Sequence, residues 1–225
     1  MADHRPAILD AALEIADEGG LAAVSMRAVA ERVGLTPMAL YPHVGGKEGL
    51  LDGLLERLLS EVPLPGPELD WASRLRTLAH GLRAAAARHP AVFGLLVSRP
   101  SVAAGSLRVI EAVFQALLAA GVPAAEVPRI ERLVSTFVIG YATSEVSGRF
   151  SAGTVDVRTR VGQVPPDELP AHRDLVATLA AGIDADAEFA ADLADLLAMV
   201  ESVAVRATAG QARSAKQPRT RVGRR

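Results

Sequence analysis

Five histidines, 26 carboxylate side chains and a single Gly-Lys step are the groups in this 225-residue chain that could bind a metal, move a proton or hold a phosphate. His4, His43, His80, His89 and His172 show no close pairing of the kind a zinc site uses, and the chain has no cysteine to add a thiolate or form a disulfide. Gly46-Lys47 looks superficially like the end of a phosphate loop. Tyr41, however, stands where that loop's first glycine belongs, and Glu48 where its Ser or Thr belongs. No Gly-x-Ser-x-Gly elbow occurs. We therefore expect no enzyme, no metal and no cofactor. The chemistry left is hydrogen bonding and charge offered to another molecule.

The segment suited to that chemistry runs from Met26 to Val44 and has the helix-turn-helix pattern. Ala30 occupies the point where two short helices cross, and a larger side chain would push them apart. Gly34, four positions later, stands where the turn needs a positive φ. Val29, Val33, Leu35 and Leu40 supply the apolar contacts that lock the pair onto the preceding helix. Ser25 and Thr36 can each cap a following helix, with Pro37 in the favoured first position. A second helix presented in this way fits the major groove. From Ser25 to Lys47 the charged residues are Arg27, Arg32 and Lys47 against Glu31, so the segment is locally positive although residues 1–60 carry five basic and nine acidic residues. A plain helical hairpin, in a ligand-binding or scaffold protein that acts through a protein partner, is the alternative that this pattern leaves open.

The elements around the motif are helical as well. Half the chain is apolar, only 4% is aromatic, and Ala and Leu lose little on entering a helix. Periodicity predicts helices over 5–18, 26–33, from Thr36 until Tyr41-Pro42-His43 closes the turn, and over 47–59. Pro63, Pro65 and Pro67 then mark a boundary. Beyond it helices are expected over 71–88, 91–97, 102–120, 124–150, 171–181 and 186–209, with 151–166 as a long loop. Nothing reads as a strand, so the fold class is all-α. We divide the chain into a DNA-binding head (1–60), a larger helical domain (61–210) and a basic disordered tail (211–225). That tail holds six basic and no acidic residues, and the rest of the chain is correspondingly acidic. A disordered arm of this charge could touch nucleic acid or serve only solubility. No uncharged apolar run reaches the about 18 residues of a membrane helix, and the N-terminus has no signal-type apolar stretch. A cytoplasmic protein with no membrane partner is expected.

Ile8-Leu9-Asp10-Ala11-Ala12-Leu13, Gly20-Leu21, Ser25-Met26-Arg27-Ala28-Val29-Ala30, Gly34-Leu35-Thr36, Leu40-Tyr41-Pro42-His43-Val44 and Lys47-Glu48-Gly49-Leu50-Leu51 together closely resemble the tetracycline-repressor (TetR/AcrR) family of transcriptional regulators. The resemblance covers about residues 5–55. It implies a three-helix DNA-binding head, a larger domain for ligand binding and dimerisation, and a repressor released from a palindromic operator by a small effector; the scarce aromatics and abundant Ala and Gly suit a roomy apolar cavity for a hydrophobic effector, and equally a plain small-residue core. It also implies that the helix from Thr36 to Tyr41 reads DNA, that Tyr41, His43 and Lys47 hold backbone phosphates, and that Ser25 contacts a phosphate. A phenol, an imidazole, an ammonium and a hydroxyl can all donate to phosphate oxygens. Arg27 adds to the positive face. The reading helix departs from a hydrogen-bonding surface, because Thr36, Pro37, Met38 and Ala39 offer few polar groups to base edges. Readout then rests on Thr36, on apolar contact with thymine methyls and on DNA shape.

In the larger domain Ile130, Leu133, Val134, Phe137, Gly140, Tyr141, Ser144, Ser147 and Gly148 form one helical stripe, and Phe189, Leu193, Leu196, Leu197, Val200, Val203 and Ala204 form another. Doubled by a two-fold axis they would make the four-helix dimer bundle that the resemblance implies; both could equally face an intramolecular core. Trp71, His80, Phe93, Phe114, Phe137 and Tyr141 lie on helices that would enclose a ligand. They are the candidates for its contacts, although each residue type more often serves a core or a surface.

Overall fold

A computed structural model of the chain describes residues 4–99, 104–150, 165, 168–179 and 183–216. Among these residues the regular structure is helical, with no strand. The helices are α1 (Arg5–Gly19), α2 (Met26–Arg32), α3 (Pro37–Val44), α4 (Lys47–Leu59), α5 (Trp71–Arg88), α6 (Pro90–Phe93), α7 (Leu95–Ser98), α8 (Ala104–Ala119), α9 (Val127–Val146), α10 (Pro170–Leu179) and α11 (Ala185–Lys216).

Local chemistry explains most of the boundaries. Gly20, at φ 75°, turns the chain out of α1, and its N–H donates to the Ala16 carbonyl at 2.8 Å. Asp70 caps α5 by accepting from the Ser73 N–H and hydroxyl at 2.9 and 2.6 Å. That shared carboxylate is held below its ordinary range, first by the Ser73 hydroxyl. Asp184 accepts from the N–H groups of Asp186 and Ala187 at the start of α11, each at 3.1 Å.

Three expectations need correction. Helix α3 does not close at Tyr41-Pro42-His43 but continues through Pro42 to Val44. Proline removes the donor to the carbonyl four residues back, here Met38, which lies in a turn open to solvent. Only that one bond is lost, and the Gly45 N–H then closes on Tyr41 at 2.8 Å. The helix expected over 91–97 is two short turns, α6 and α7, separated at Gly94. The last helix carries on to Lys216, so residues 211–216 belong to it and not to a disordered tail. Residues 217–225 lie outside the described residues, as does most of the loop expected over 151–166.

Helix α1 packs on α2, α3, α4 and α6, and its inward face (Ile8, Leu9, Ala12, Leu13, Ala16) is buried. Helix α4 joins the two parts of the molecule. It touches α1 and α3 on the head side and α5, α6 and α8 on the other. Helices α5, α8 and α9 pack against one another, and α11 lies along α9. The stripe on α9 is thereby partly used inside the chain, with Ile130 and Val134 buried and Leu133 exposed, whereas every residue of the α11 stripe (Phe189, Leu193, Leu196, Leu197, Val200, Val203 and Ala204) is buried and only Val205 beside it is exposed.

Candidate nucleic-acid interface

Helices α2 and α3 meet as the motif requires. Ala30 and Val29 are buried at their crossing, Leu40 is fully enclosed, and Gly34 turns the chain at φ 68°. The Leu35 N–H reaches back to the Ala30 carbonyl at 2.8 Å and tightens the turn. Ser25 Oγ accepts from the Ala28 N–H at 3.1 Å, and Thr36 Oγ1 accepts from the Ala39 N–H at 3.3 Å. Both hydroxyls are engaged as acceptors and keep their own hydrogen for an outside partner.

The outward surface of this unit carries most of the residues expected to meet DNA. Met38 is 75% exposed and Tyr41 47%. Arg27, Thr36, Pro37 and Lys47 are exposed as well, and Ser25, Ala39 and His43 are half-buried among them. The His43 ring meets that of His4 edge-on, with centroids 5.7 Å apart. Arg32 is different. It is tied to α1 through Glu18 at 2.7 Å and Glu14 at 3.2 Å, so it staples α2 to α1. Those bonds hold the Glu18 carboxyl below its usual range and the Arg32 guanidinium above its own. The positive charges with no ion-pair partner among the described residues of this face are Arg27 and Lys47, at its two ends.

Behind α4 lies a cavity of about 240 Å³. Leu59 of α4, Leu75, Leu78, Ala79 and Leu82 of α5, Val109, Ile110 and Val113 of α8, and Val134, Val138 and Ile139 of α9 make an apolar wall, with Leu96 of α7. Its polar members are Arg99, Ser106, Glu131 and Ser135. Sequence reasoning missed these four. Glu131 and Ser135 stand one turn apart on the face that also carries Val134 and Val138, which was a readable signal. Arg99 offered none, because its bonding partners are 47 and 51 residues away.

None of the six aromatic and histidine candidates lines this cavity. Phe93 is fully buried, and Trp71 and Phe114 are half-buried against the core. His80, Phe137 and Tyr141 are brought together instead around Phe189, with ring centroids 5.2, 6.2 and 4.9 Å from it. Arg83 caps this cluster, its guanidinium carbon 4.8 Å from the Phe189 centroid. It also ion-pairs with Glu145 of α9 and, at 2.7 Å, with Asp186 of α11. The Tyr141 hydroxyl donates to the Ala185 carbonyl at 2.8 Å, and burial raises its pKa. These residues fasten α11 to α5 and α9.

The geometry agrees with what the chain is similar to. Residues 8–54 match the family model described as bacterial regulatory proteins, tetR family, and residues 63–204 match the tetracyclin repressor-like C-terminal domain. A transcriptional regulator of the helix-turn-helix type from Saccharopolyspora erythraea is 35% identical over 61% of this chain and 59% of its own length. The repressor DrrR1 of Streptomyces coeruleorubidus is 31% identical over 70% of this chain and 60% of its own length. The chain thus spans about three fifths of these two relatives. The solved structure of Streptomyces coelicolor ActR in complex with actinorhodin superposes with a TM-score of 0.76 and 27% identity, covering 89% of this chain and 97% of that one.

Proposed function

Because this chain belongs to the TetR family of bacterial regulators, we propose that it is a ligand-responsive transcriptional repressor that binds a palindromic operator as a homodimer and is released by a small, largely apolar effector. The observation that carries this reading is the position of α4, whose first turn bears Lys47 on the exposed face while its last residue, Leu59, lines the cavity. One rigid helix therefore spans the reading surface and the ligand space.

In this reading Ser25, Tyr41, His43 and Lys47 hold phosphates, with Arg27 adding charge. Thr36, Pro37, Met38 and Ala39 face the bases. The apolar cavity, rather than the aromatic cluster around Phe189, takes the effector. Exposed Leu133 on α9 and Val205 on α11 belong to the face that a second copy would cover. The named relatives support the reading: DrrR1 is a repressor, and ActR has been crystallised with a small molecule. The chain has no enzymatic role in this proposal, and the cytoplasm is its place of action.

Release follows from geometry. Half-sites lie about 34 Å apart, or a multiple of it, so tilting α4 by a few ångströms at its DNA end would prevent both heads of a dimer from engaging together. An effector that prefers the tilted form then lowers operator affinity. The test is an anisotropy titration of a fluorescent duplex, selected by the chain itself from a random pool, at rising salt. Affinity should fall linearly on a log–log plot as counterions are released. Absence of any salt-dependent duplex binding would overturn the proposal.

A further inference from the structure

Arg99 belongs to two places at once. Its side chain is in the wall of the cavity, and its guanidinium is bonded to the first turns of α4: Nη1 donates to Glu48 at 2.7 Å, and Nε and Nη2 donate to Asp52 at 3.2 and 2.9 Å. Glu48 and Asp52 are the residues one and five positions after Lys47. The Arg99 side chain is only 22% exposed, whereas those of Glu48 and Asp52 are 77% and 59% exposed. The carboxylates therefore sit in water and reach in to a cation held at the cavity.

We infer that the effector carries an anionic group, such as a carboxylate, on an apolar body, and that this group takes Arg99 away from Glu48 and Asp52, releasing the DNA end of α4. The inference rests on the ligand-responsive reading above and names the ligand chemistry for its cavity. Two carboxylates already face one guanidinium, so a third anion competes with them instead of adding to them. The contest is uneven. Exposed carboxylates give up an ion pair at little cost because water replaces it. An anion among the apolar side chains of α5, α8 and α9 has no such replacement and depends on the guanidinium. Glu131, in the same wall, repels an anion and so favours the orientation in which the acid group meets Arg99 and the apolar body lies along α9. Capture and release are one event, because the captured side chain is itself a tie between the end of α7 and α4.

The test compares 4-butylbenzoate with its uncharged counterpart 4-butylbenzamide. Both are titrated calorimetrically into the full chain, and both are then added to the chain bound to its selected duplex. Wild type should bind the benzoate roughly tenfold more tightly than the amide, the worth of one charge-assisted hydrogen bond. The benzoate should also be the stronger releaser of DNA. Arg99→Gln should erase the acid's advantage over the amide, and Arg99→Lys should keep part of it. Glu48→Gln combined with Asp52→Asn, both at exposed positions, should tighten benzoate binding several-fold by removing the competitors. Equal or tighter binding of the amide by wild type would overturn the inference, as would an acid preference that survives in Arg99→Gln. Amide binding that weakens the DNA complex, with no preference for the acid, would overturn the inference while leaving the ligand-responsive reading intact. If neither compound binds, the cavity is not a site for acids of this size and the inference falls with it, whereas the salt-dependent DNA test still judges the regulator.

Discussion

A β-carbon at Gly34 would meet nothing within 4 Å, so torsion and not space keeps this position glycine. Its φ of 68° costs an ordinary L-residue about 1–2 kcal/mol, and more for a β-branched one. Gly34→Val should therefore abolish duplex binding while the unfolding of the larger domain is unchanged, and Gly34→Asn, which tolerates this conformation, should keep binding. Circular dichroism melts paired with anisotropy would check both. Lys47 and Tyr41 pose a different question. Each stands exposed and carries a donor, and phosphate contacts carry no sequence information. Lys47→Ala and Tyr41→Phe should weaken selected and random duplexes by similar factors, and Lys47→Ala should also flatten the salt dependence by about one ion. A variant that loses only the selected duplex would assign that side chain to a base.

The pair of α1 and α2 is held by an acid-sensitive staple. Hydrogen bonds from Arg32, aided by its charge, hold Glu18 below its ordinary value of 4.5 when folded. A carboxyl depressed in the folded state contributes its stability in full above the unfolded value and loses it as pH falls through the folded one. Asp70 at the start of α5 behaves in the same way, through Ser73. Arg32→Gln should thus lower the melting temperature of the head at neutral pH, and the gap from wild type should narrow as pH falls below the ordinary carboxyl value of 4.5. A gap that stays constant through that fall would remove Glu18 from the staple. Because both partners are exposed, the gap at neutral pH is expected to be small.

Polar side-chain bridges that cross between helices recur over the molecule, at its joints. His89 joins Asp17 of α1, at 2.8 Å, to Glu61 beyond the end of α4, at 3.2 Å, which ties the head to the end of α5. Arg83 ties α5 to α9 and to the first residues of α11, and its pKa is driven up, first by the hydrogen bonds it donates to Glu145. Removing Arg83 would leave the half-buried Glu145 without its cation and strip the Phe189 cluster of its cap. Arg83→Met should cost about 1–3 kcal/mol, and amide hydrogen exchange should speed up along α11 more than along α1. Uniform acceleration over the whole chain would mean that Arg83 serves global stability and not the seating of α11. If α11 forms the dimer face, the same variant should also dimerise more weakly by sedimentation.

The helix-turn-helix was legible because its signals are local: two hydroxyl caps, a glycine four residues after an alanine, and apolar residues at the spacing of one helical face. The existence of nearly every helix was legible for the same reason, since helical hydrogen bonds close within four residues. Legibility stopped where outcomes depend on partners far along the chain. Pro42 looked like a stop and was tolerated, because Met38, whose carbonyl it deprives of a donor, lies exposed. The aromatic residues looked like a pocket and instead gather around Phe189 and Arg83, because the α9 face that carries Phe137 and Tyr141 turns toward α11 and the face that carries Glu131, Ser135 and Val138 turns toward the cavity. Arg99 had no sequence signal at all. Its place beside Glu48 and Asp52 arises only when α6, and with it the end of α7, is brought against α4, and such pairings are decided by how helix faces of similar hydrophobicity pack together, which no local periodicity encodes.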